Sequence, residues 1–386
     1  MLMRDVYINK VAVFLPNKPV SNEEMEDYIG LIGGKPSRVR SVVLKQNGIK
    51  TRYYGLDKEH KITHSNAQLA KEAVLGLFEE NAVPSDITLL ACGTSTPDQL
   101  LPSHASMVHG ELGNFPMEIF SSAGVCLTSL QALKICYSNI LAGLHDNAVC
   151  IASELTSPAL VSKFYDPEYE ATHDNPDKDP YMAFEKDFMR FMLSDGSGAV
   201  LLKDHPEGDC PLKVEWVEMT SYANELPTCM FMAAELETNG RLKSWKEFSP
   251  EEIKERGALV GKQNIRQLKK HAIKYWVDHI ETVLAKHNLN PEEVDYVLPH
   301  LSSMLFYDQV NKEVKSRGIA LTKEKLVCQP PICRKRRLCR HLRGIRRADA
   351  NKRGNAGAED TSSCPREWQV LLWIGATKCS MNNEIS

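Results

Sequence analysis

One predicted helix constrains the fold of this 386-residue chain more than any other segment. Apolar residues occupy most of its faces over residues 127–144, and a helix of that kind is normally buried between other layers of structure. A buried strand is predicted directly after it, over residues 148–153. Small residues and a single cysteine, Cys126, lead into the helix, so we expect Cys126 on a tight turn at the helix amino terminus.

The place predicted for Cys126 favours a reactive thiol. The first N–H groups of a helix have no partner within it, and together with the helix dipole they stabilise a nearby negative charge. A thiol in such a position ionises more easily and is a better nucleophile. A lone cysteine is more often an ordinary buried residue, so both interpretations of Cys126 remain open on this feature alone.

Strands that alternate with helices through residue 204 predict a layered α/β domain. Residues 83–93 and 290–300 share one pattern, in which a helix end leads through a proline-acidic turn into a short buried strand and a polar loop. This repeat predicts two related halves, with a junction near residue 204. Further strands are predicted over 6–15 and 214–219, and a long amphipathic helix over 264–287.

Three polar features follow predicted strands or turns. His300 ends the second repeat, where the first repeat has a loop of the kind that binds ligands in α/β folds, so a structural and a functional histidine are both open. The glycine-rich turn at 194–198 precedes a strand, which indicates close backbone packing rather than a phosphate loop. The basic-aromatic segment with Arg52 indicates either a hairpin or a contact for a phosphate-bearing substrate.

Composition is typical of a soluble globular protein, with 42% hydrophobic and 25% charged residues. The start of the chain lacks the apolar run of a signal peptide, and no later run reaches the length of about 18 residues that spans a membrane. We therefore expect a cytoplasmic protein with no membrane partner. Eleven cysteines without secretory features favour thiols over a disulfide framework.

Three motifs in order resemble a known family. Cys126 before a buried helix, the turn at 195–200 and the segment 294–300 ending in His300 resemble β-ketoacyl-ACP synthase III of the thiolase superfamily. The similarity extends from about residue 5 to 327. It implies an α/β protein with the thiolase-like five-layered αβαβα fold of two duplicated halves, here 1–204 and 205–327, and a homodimer.

The resemblance also implies a chemistry. Cys126 would accept an acyl group from acyl-CoA or acyl-ACP, and decarboxylative Claisen condensation with malonyl-ACP would follow. His300 would donate a hydrogen bond to the malonyl thioester carbonyl, beside an asparagine of a Gly-Asn motif some thirty residues later. The family needs no metal or other cofactor, because its thioester substrates carry the pantetheine. Residues that bind the substrate are not indicated by the sequence, and neither is the length of the acyl chain.

Two alternatives and two departures accompany this hypothesis. The same fold supports an acyltransferase that acts without decarboxylation, or a non-catalytic partner subunit. The segment Gln46–Ile49 stands where the family commonly has Arg-Thr-Gly-Ile, so contacts with coenzyme A are expected to differ. The insertion at 164–187 is long for an initiator of fatty acid synthesis, which favours a specialised relative.

The composition changes abruptly in the segment 328–386. It holds 12 Lys and Arg against 5 Asp and Glu, and five of the eleven cysteines. A basic nucleic-acid-binding tail lacks the interleaved aromatic residues, so we expect no nucleic-acid partner. A zinc site would need Cys328, Cys333, Cys339 and His341, and their spacing fits no compact pattern.

A shift of reading frame explains this segment better. Residues 331–338 can be encoded by codons that, when read one base later, give Pro-Tyr-Val-Gly-Asn-Val-Gly-Ser. In the same shifted frame, residues from 359 onward can be replaced by a β-rich segment. These are the Gly-Asn loop and closing strand that the family needs, in the right order. The printed chain would then lack the catalytic asparagine, so we expect weak or absent condensation activity.

We predict that residues 328–386 pack poorly, because they replace part of the core of the second half. Hydrogen exchange should find little protection there, and strong protection throughout 330–386 would contradict the hypothesis. Resequencing the gene across codons 322–332 should find one base gained or lost relative to close relatives. A continuous frame would exclude the shift.

Overall fold

A computed structural model describes residues 3–79, 82–113, 115–173, 186–208, 211–300, 303–321, 325 and 370–371. The helices there are α1 (Met25–Ile29), α2 (Arg40–Asn47), α3 (Asn66–Leu75), α4 (His104–Leu112), α5 (Thr128–Leu141), α6 (Asp166–His173), α7 (186–190), α8 (Pro250–Glu255), α9 (Ile265–Lys286) and α10 (Leu305–Ser316). The strands are β1 (Tyr7–Phe14), β2 (Val20–Ser21), β3 (Thr51–Arg52), β4 (Leu89–Thr94), β5 (Glu118–Ala123), β6 (Asn147–Glu154), β7 (Gly196–Lys203), β8 (Leu212–Lys213), β9 (Met230–Phe231), β10 (Ala234–Leu236), β11 (Leu242–Ser244), β12 (Lys262–Gln263), β13 (Tyr296–Val297) and β14 (Val370–Leu371).

Six strands form the main sheet, in the order β5-β4-β6-β7-β1-β8. β5, β4 and β6 run parallel to one another, whereas β7, β1 and β8 each run antiparallel to the strand before them in that order. Parallel neighbours need a crossover connection, and α4 and α5 lie in the two connections between the parallel strands. The predicted α/β domain is therefore present.

Helices cover both faces of this sheet. Alternate residues of β4 point to opposite sides, so Leu90 and Cys92 pack against α3 and α4, and Leu89 and Ala91 pack against α5. The predicted buried helix is confirmed, although α5 ends at Leu141 rather than at residue 144. It ends there because the following turn places Gly143 in the left-handed region, at φ 72°.

The second part of the chain contains a pair of packed helices. The amphipathic helix predicted over 264–287 is confirmed as α9, where the Asn264 side chain caps the amino end by accepting a hydrogen bond from Gln267 N (3.1 Å). Its apolar face packs against α10 and the short strand β13. The division of the chain at residues 204 and 327 stays a prediction.

The strand predicted at 214–219 is wrong. β8 ends at Lys213, and one further hydrogen bond, from Val214 N to Val6 O (2.8 Å), follows it toward β1. The alternating pattern arises from packing instead, since Val214, Val217 and Met219 lie against the α5 side of the core. An alternating sequence specifies which side chains are buried, but not whether the backbone finds a partner strand.

Two predicted segments lie largely outside the described residues. Of the insertion at 164–187, helix α6 and residues 186–187 are described, and 174–185 are not. Of the tail at 328–386, only β14 is described, and it pairs in parallel with β13, Val370 opposite Tyr296. Across the described ranges, every helix is too short or too polar to span a membrane.

A buried histidine lies on the α3–α4 side of the sheet. His104, the first residue of α4, is 3% exposed, and its Nε2 atom lies 2.9 Å from the Ser153 hydroxyl of β6. Burial lowers the pKa of His104 to about 4, because the charged imidazole would lose its hydration. In the native protein the His104 imidazole is therefore uncharged near neutral pH.

We predict that acid destabilises the protein through His104. Its ordinary pKa is 6.5, so between pH 6.5 and about 4 the unfolded chain binds a proton that the native protein does not. The free energy of unfolding should fall through this window, by roughly 3 kcal/mol at its acid end. Urea unfolding at a series of pH values measures this loss.

The variant His104→Gln should flatten that part of the pH profile. An unchanged slope in His104→Gln would assign the acid sensitivity to other groups.

Candidate active site

The loop with Cys126 lies at the edge of the main sheet where the parallel strands end. Thr94 at the end of β4 is in register with Ala123 at the end of β5, and β6 ends at Glu154 beside Gly196 of β7. Open α/β sheets bind ligands at the carboxyl ends of their strands. This edge is therefore the candidate active site.

A short turn carries Cys126 from β5 into α5. The turn passes through Gly124, whose φ of 155° is rarely adopted by residues with a side chain. Thr128 N donates a hydrogen bond to Val125 O (3.2 Å) and so closes the turn around Cys126. The sequence predicted this location, and the structure places Cys126 two residues before the first residue of α5.

The first turn of α5 lies directly against strand β4. A Cβ atom at Gly93 would come within 2.3 Å of Thr128 O and within 2.5 Å of its carbonyl carbon. These are backbone atoms and cannot rotate away as a long side chain could. The absence of a side chain at residue 93 therefore fixes how closely the helix that follows Cys126 approaches the sheet.

Cys126 differs from the other cysteines that the structure describes. Cys92, Cys136, Cys150 and Cys229 are buried, whereas Cys126 is half-buried. Burial raises the pKa values of Cys92 and Cys136 well above the ordinary range, so those thiols are held in the unreactive neutral form. Within the described ranges, Cys126 alone combines partial exposure with a position at a helix amino terminus.

A carboxylate from β6 organises the loop after β4. Glu154 Oε1 accepts hydrogen bonds from the backbone N–H (2.8 Å) and the hydroxyl (2.7 Å) of Ser95, and Oε2 accepts from the Thr96 hydroxyl (2.8 Å). Asn66 supports the same loop by donating to Thr96 O (2.7 Å). The 93–98 loop is thus held rigidly beside the turn of Cys126.

Asp195, from the glycine-rich turn, anchors backbone on two sides. It is 2% exposed and accepts hydrogen bonds from the backbone N–H groups of Gly55 (2.6 Å), Thr156 (2.7 Å) and Ser157 (2.9 Å). Burial raises the pKa of this carboxyl group, and the hydrogen bonds oppose that shift. These contacts support the structural role that the sequence favoured for this turn.

Arg52 is also structural. It is fully buried, and its Nε atom donates to Phe191 O (3.0 Å) while Nη1 donates to the Asn22 side chain (2.6 Å). A guanidinium group enclosed in this way cannot reach a phosphate at the surface. Arg52 itself is therefore excluded as the phosphate contact, and for the rest of the basic-aromatic segment, which includes the exposed Lys50, that contact stays a prediction.

His300 occupies a position comparable to that of Cys126. It follows the end of β13 and precedes α10, as Cys126 follows β5 and precedes α5. The ring is half-buried, and its Nε2 atom is fully enclosed with no hydrogen-bond partner among the described residues. Enclosed polar atoms are normally paired, so this unpaired nitrogen singles out His300, and a substrate reaches it only if the side chains around it move.

Sequence reasoning missed one group of residues near this loop. The side chain of Asn47, 2% exposed, donates to Phe191 O (3.0 Å), and the Ser303 hydroxyl donates to Gln46 O (3.2 Å). Asn47 lies in α2 and Ser303 in the loop after His300, so the Ser303–Gln46 bond joins the two parts of the chain, whereas the Asn47–Phe191 bond lies within the first part. A buried asparagine at the end of a helix carries no pattern that would have revealed partners so distant in sequence.

Comparisons with known proteins agree with the motifs. No family model matches the chain. A β-ketoacyl-[acyl-carrier-protein] synthase III of Clostridium perfringens is 25% identical over 313 residues, 81% of this chain and 82% of the relative. Another, from Allorhizobium ampelinum, is 26% identical over 310 residues, 80% of each chain.

Solved structures share the fold. The tetronic acid condensing enzyme AbyA1 superposes with a TM-score of 0.61 at 21% identity, over 83% of this chain and 85% of its own. OleA of Xanthomonas campestris superposes with a TM-score of 0.58 at 19% identity, over 85% of each chain. The predicted thiolase-like fold is thereby confirmed. The chain is thus similar in sequence to β-ketoacyl-ACP synthase III enzymes, and it shares the thiolase-like fold of these solved structures.

Proposed function

We propose that this chain transfers an acyl group from an acyl-CoA or acyl-ACP thioester to Cys126 and condenses it with a malonyl thioester such as malonyl-ACP. One observation carries the proposal. Among the described cysteines, Cys126 alone is half-buried, and it lies at the amino end of a helix held against the sheet. The related synthases supply the reaction class.

The first step is acyl transfer to sulfur. The Cys126 thiolate attacks the thioester carbonyl, and the new C–S bond forms as the oxygen takes up negative charge. Backbone N–H groups at the start of α5, including that of Cys126, are suited to stabilise this oxygen. Collapse of the intermediate breaks the old C–S bond and releases the pantetheine thiolate, which takes up a proton.

The second step forms the carbon–carbon bond. The malonyl thioester loses carbon dioxide, and the electrons of the broken C–C bond form an enolate. His300, whose Nε2 atom has no hydrogen-bond partner among the described residues, would donate a hydrogen bond to the enolate oxygen once that oxygen can approach it. The enolate carbon attacks the acyl group on Cys126 and releases the thiolate. The reaction needs no redox cofactor, because no electrons are gained or lost overall.

The printed chain is expected to favour the first step over the second. Residues 329–340, where the family would have its Gly-Asn motif some thirty residues after His300, contain no such pair, so His300 would stabilise the enolate without its usual neighbour. Loss of one such donor typically slows a reaction by about 10²–10³-fold. An acyltransferase without decarboxylation is therefore the second candidate function.

We predict that Cys126 becomes acylated when the protein is incubated with acyl-CoA or acyl-ACP. Intact-protein mass spectrometry should show the mass of one acyl group added, because the half-buried thiol is the accessible nucleophile among the described cysteines. Cys126→Ala should abolish the addition, and Cys136→Ala, in the helix that follows Cys126, is the control that should retain it.

Measuring carbon dioxide release from a malonyl thioester distinguishes the two candidate functions. Release that depends on His300 supports a condensing enzyme, and acylation without release supports a simple acyltransferase. Absence of acylation at Cys126 would leave a non-catalytic partner subunit and would overturn the proposal.

We further propose that the chain forms a homodimer through strand β5. This strand is at the edge of the main sheet, and unpaired backbone groups at such an edge readily pair with another strand. Leu100 and Leu101 lie just before α4, which packs against β5, and they are 78% and 85% exposed in the single chain. Large apolar residues next to an open strand favour a second copy as the partner.

We predict that Leu101→Glu weakens the dimer. A charge at this exposed position costs little in a single chain but must be desolvated in the interface. Sedimentation velocity over a range of concentrations measures the association, and Leu259→Glu, at a 53% exposed position elsewhere, is the control. A chain that sediments as a monomer at all concentrations would contradict the proposal.

A further inference from the structure

The loop that carries His300 is held at both of its ends. β13 fixes its start, and the amino end of α10 fixes its finish. His300 comes three residues after the end of β13 and five residues before the first residue of α10, so its position depends on how these two flanking elements are held. Of these two elements, α10 makes a specific contact with the first part of the chain.

The amino end of α10 meets the carboxyl end of α2. Met304 N donates to Asn47 O (3.3 Å), and the Ser303 hydroxyl donates to Gln46 O (3.2 Å). The last carbonyl groups of one helix and the first N–H groups of another have no partners within their own helices. Here the two unsatisfied ends satisfy each other, with the partly negative end of one dipole facing the partly positive end of the other. We call this contact the α2–α10 junction.

A glycine makes the close approach possible. Gly48 ends α2 in the left-handed region, at φ 69° and ψ 10°. A Cβ atom at Gly48 would lie 2.9 Å from Met304 Cγ, which is closer than carbon atoms normally approach. Any side chain at residue 48 must therefore displace the start of α10 or force Met304 into another conformation.

Asn47 connects the junction to the rest of the site. Its side-chain amide donates to Phe191 O (3.0 Å), and its Oδ1 accepts from Ile49 N (2.9 Å). Phe191 precedes Asp195, whose carboxylate binds the loop after β6. The junction is thus anchored to the edge of the main sheet where Cys126 lies.

We propose that the α2–α10 junction positions His300 relative to that edge, with Gly48 and Asn47 as positioning residues. The inference rests on the proposed function, since it gives the junction a role in the use of His300. Neither residue needs to touch the substrate. Each acts by fixing the start of α10, and hence the loop with His300 five residues earlier.

Gly48→Ala tests the proposal, and Gly113→Ala is its matched control. Both glycines end a helix in the left-handed region, and both donate a backbone hydrogen bond four residues back, Gly48 to Leu44 O (3.2 Å) and Gly113 to His109 O (3.1 Å). A Cβ atom at Gly113 would meet nothing within 4 Å. The two variants therefore carry similar backbone strain, and only Gly48→Ala adds the collision with Met304.

The first measurement is NMR of the full chain with ¹³C-labelled histidine, in which His300→Gln identifies the His300 signal. Gly48→Ala should move this signal, and Gly113→Ala should leave it in place. The double variant Gly48→Ala with Met304→Ala should restore it, because the colliding Cγ atom is gone. If Gly48→Ala fails to fold, Ser303→Ala removes one junction bond without added strain and should also move the signal.

The second measurement compares the two partial reactions. Gly48→Ala should slow malonyl-thioester decarboxylation about tenfold, a loss expected for a displacement below 1 Å, while acylation of Cys126 stays within about twofold. The double variant should recover the decarboxylation rate. A merely structural effect would lower both rates together.

Three results would overturn the proposal: an unmoved His300 signal in the folded Gly48→Ala and Ser303→Ala variants, an equal shift in Gly113→Ala, or no recovery in the double variant. If the unmodified chain neither acylates Cys126 nor decarboxylates a malonyl thioester, the proposed function fails. The NMR comparison still decides whether the junction positions His300.

Discussion

The amino end of α5 lies directly on strand β4, and the candidate site depends on this approach. A helix normally stands off a sheet by the depth of the side chains between them, but at Gly93 no side chain intervenes. The rest of α5 is held by apolar packing against the same sheet face. Cys126 therefore takes its position from the sheet and not from a free loop, which is the rigid placement that a nucleophile needs.

Buried polar residues hold the surrounding loops, and they do so through backbone atoms. Asp195 binds three N–H groups, Arg52 binds Phe191 O, and Glu154 binds the loop after β4. Asp195 and Arg52 are buried and Glu154 is half-buried, so each of these groups loses hydration, and several hydrogen bonds compensate each loss. Loops fixed in this way keep their shape without contributing to the apolar core.

The sequence predicted what depends on local pattern. Helix α9 was predicted to within one residue at each end, because its amphipathic period and its asparagine cap are both local signals. The position of Cys126 followed from the buried helix after it. The prediction of a strand at 214–219 was wrong, since strand pairing depends on backbone distant in the sequence and not on the alternation of apolar and polar residues. Asn47 and Phe191 are 144 positions apart, so nothing in either neighbourhood revealed their bond.

The position of β1 in the main sheet has a consequence for synthesis of the chain. This strand lies between β7 and β8, so Tyr7 pairs with Lys203 and Lys213, which are made much later. At typical rates of translation, β1 waits on the order of 10–40 s for its first neighbour to emerge. During that time its apolar side chains and both of its backbone edges are uncovered. The nascent chain is therefore most prone to aggregate, and most dependent on chaperones, before β7 leaves the ribosome.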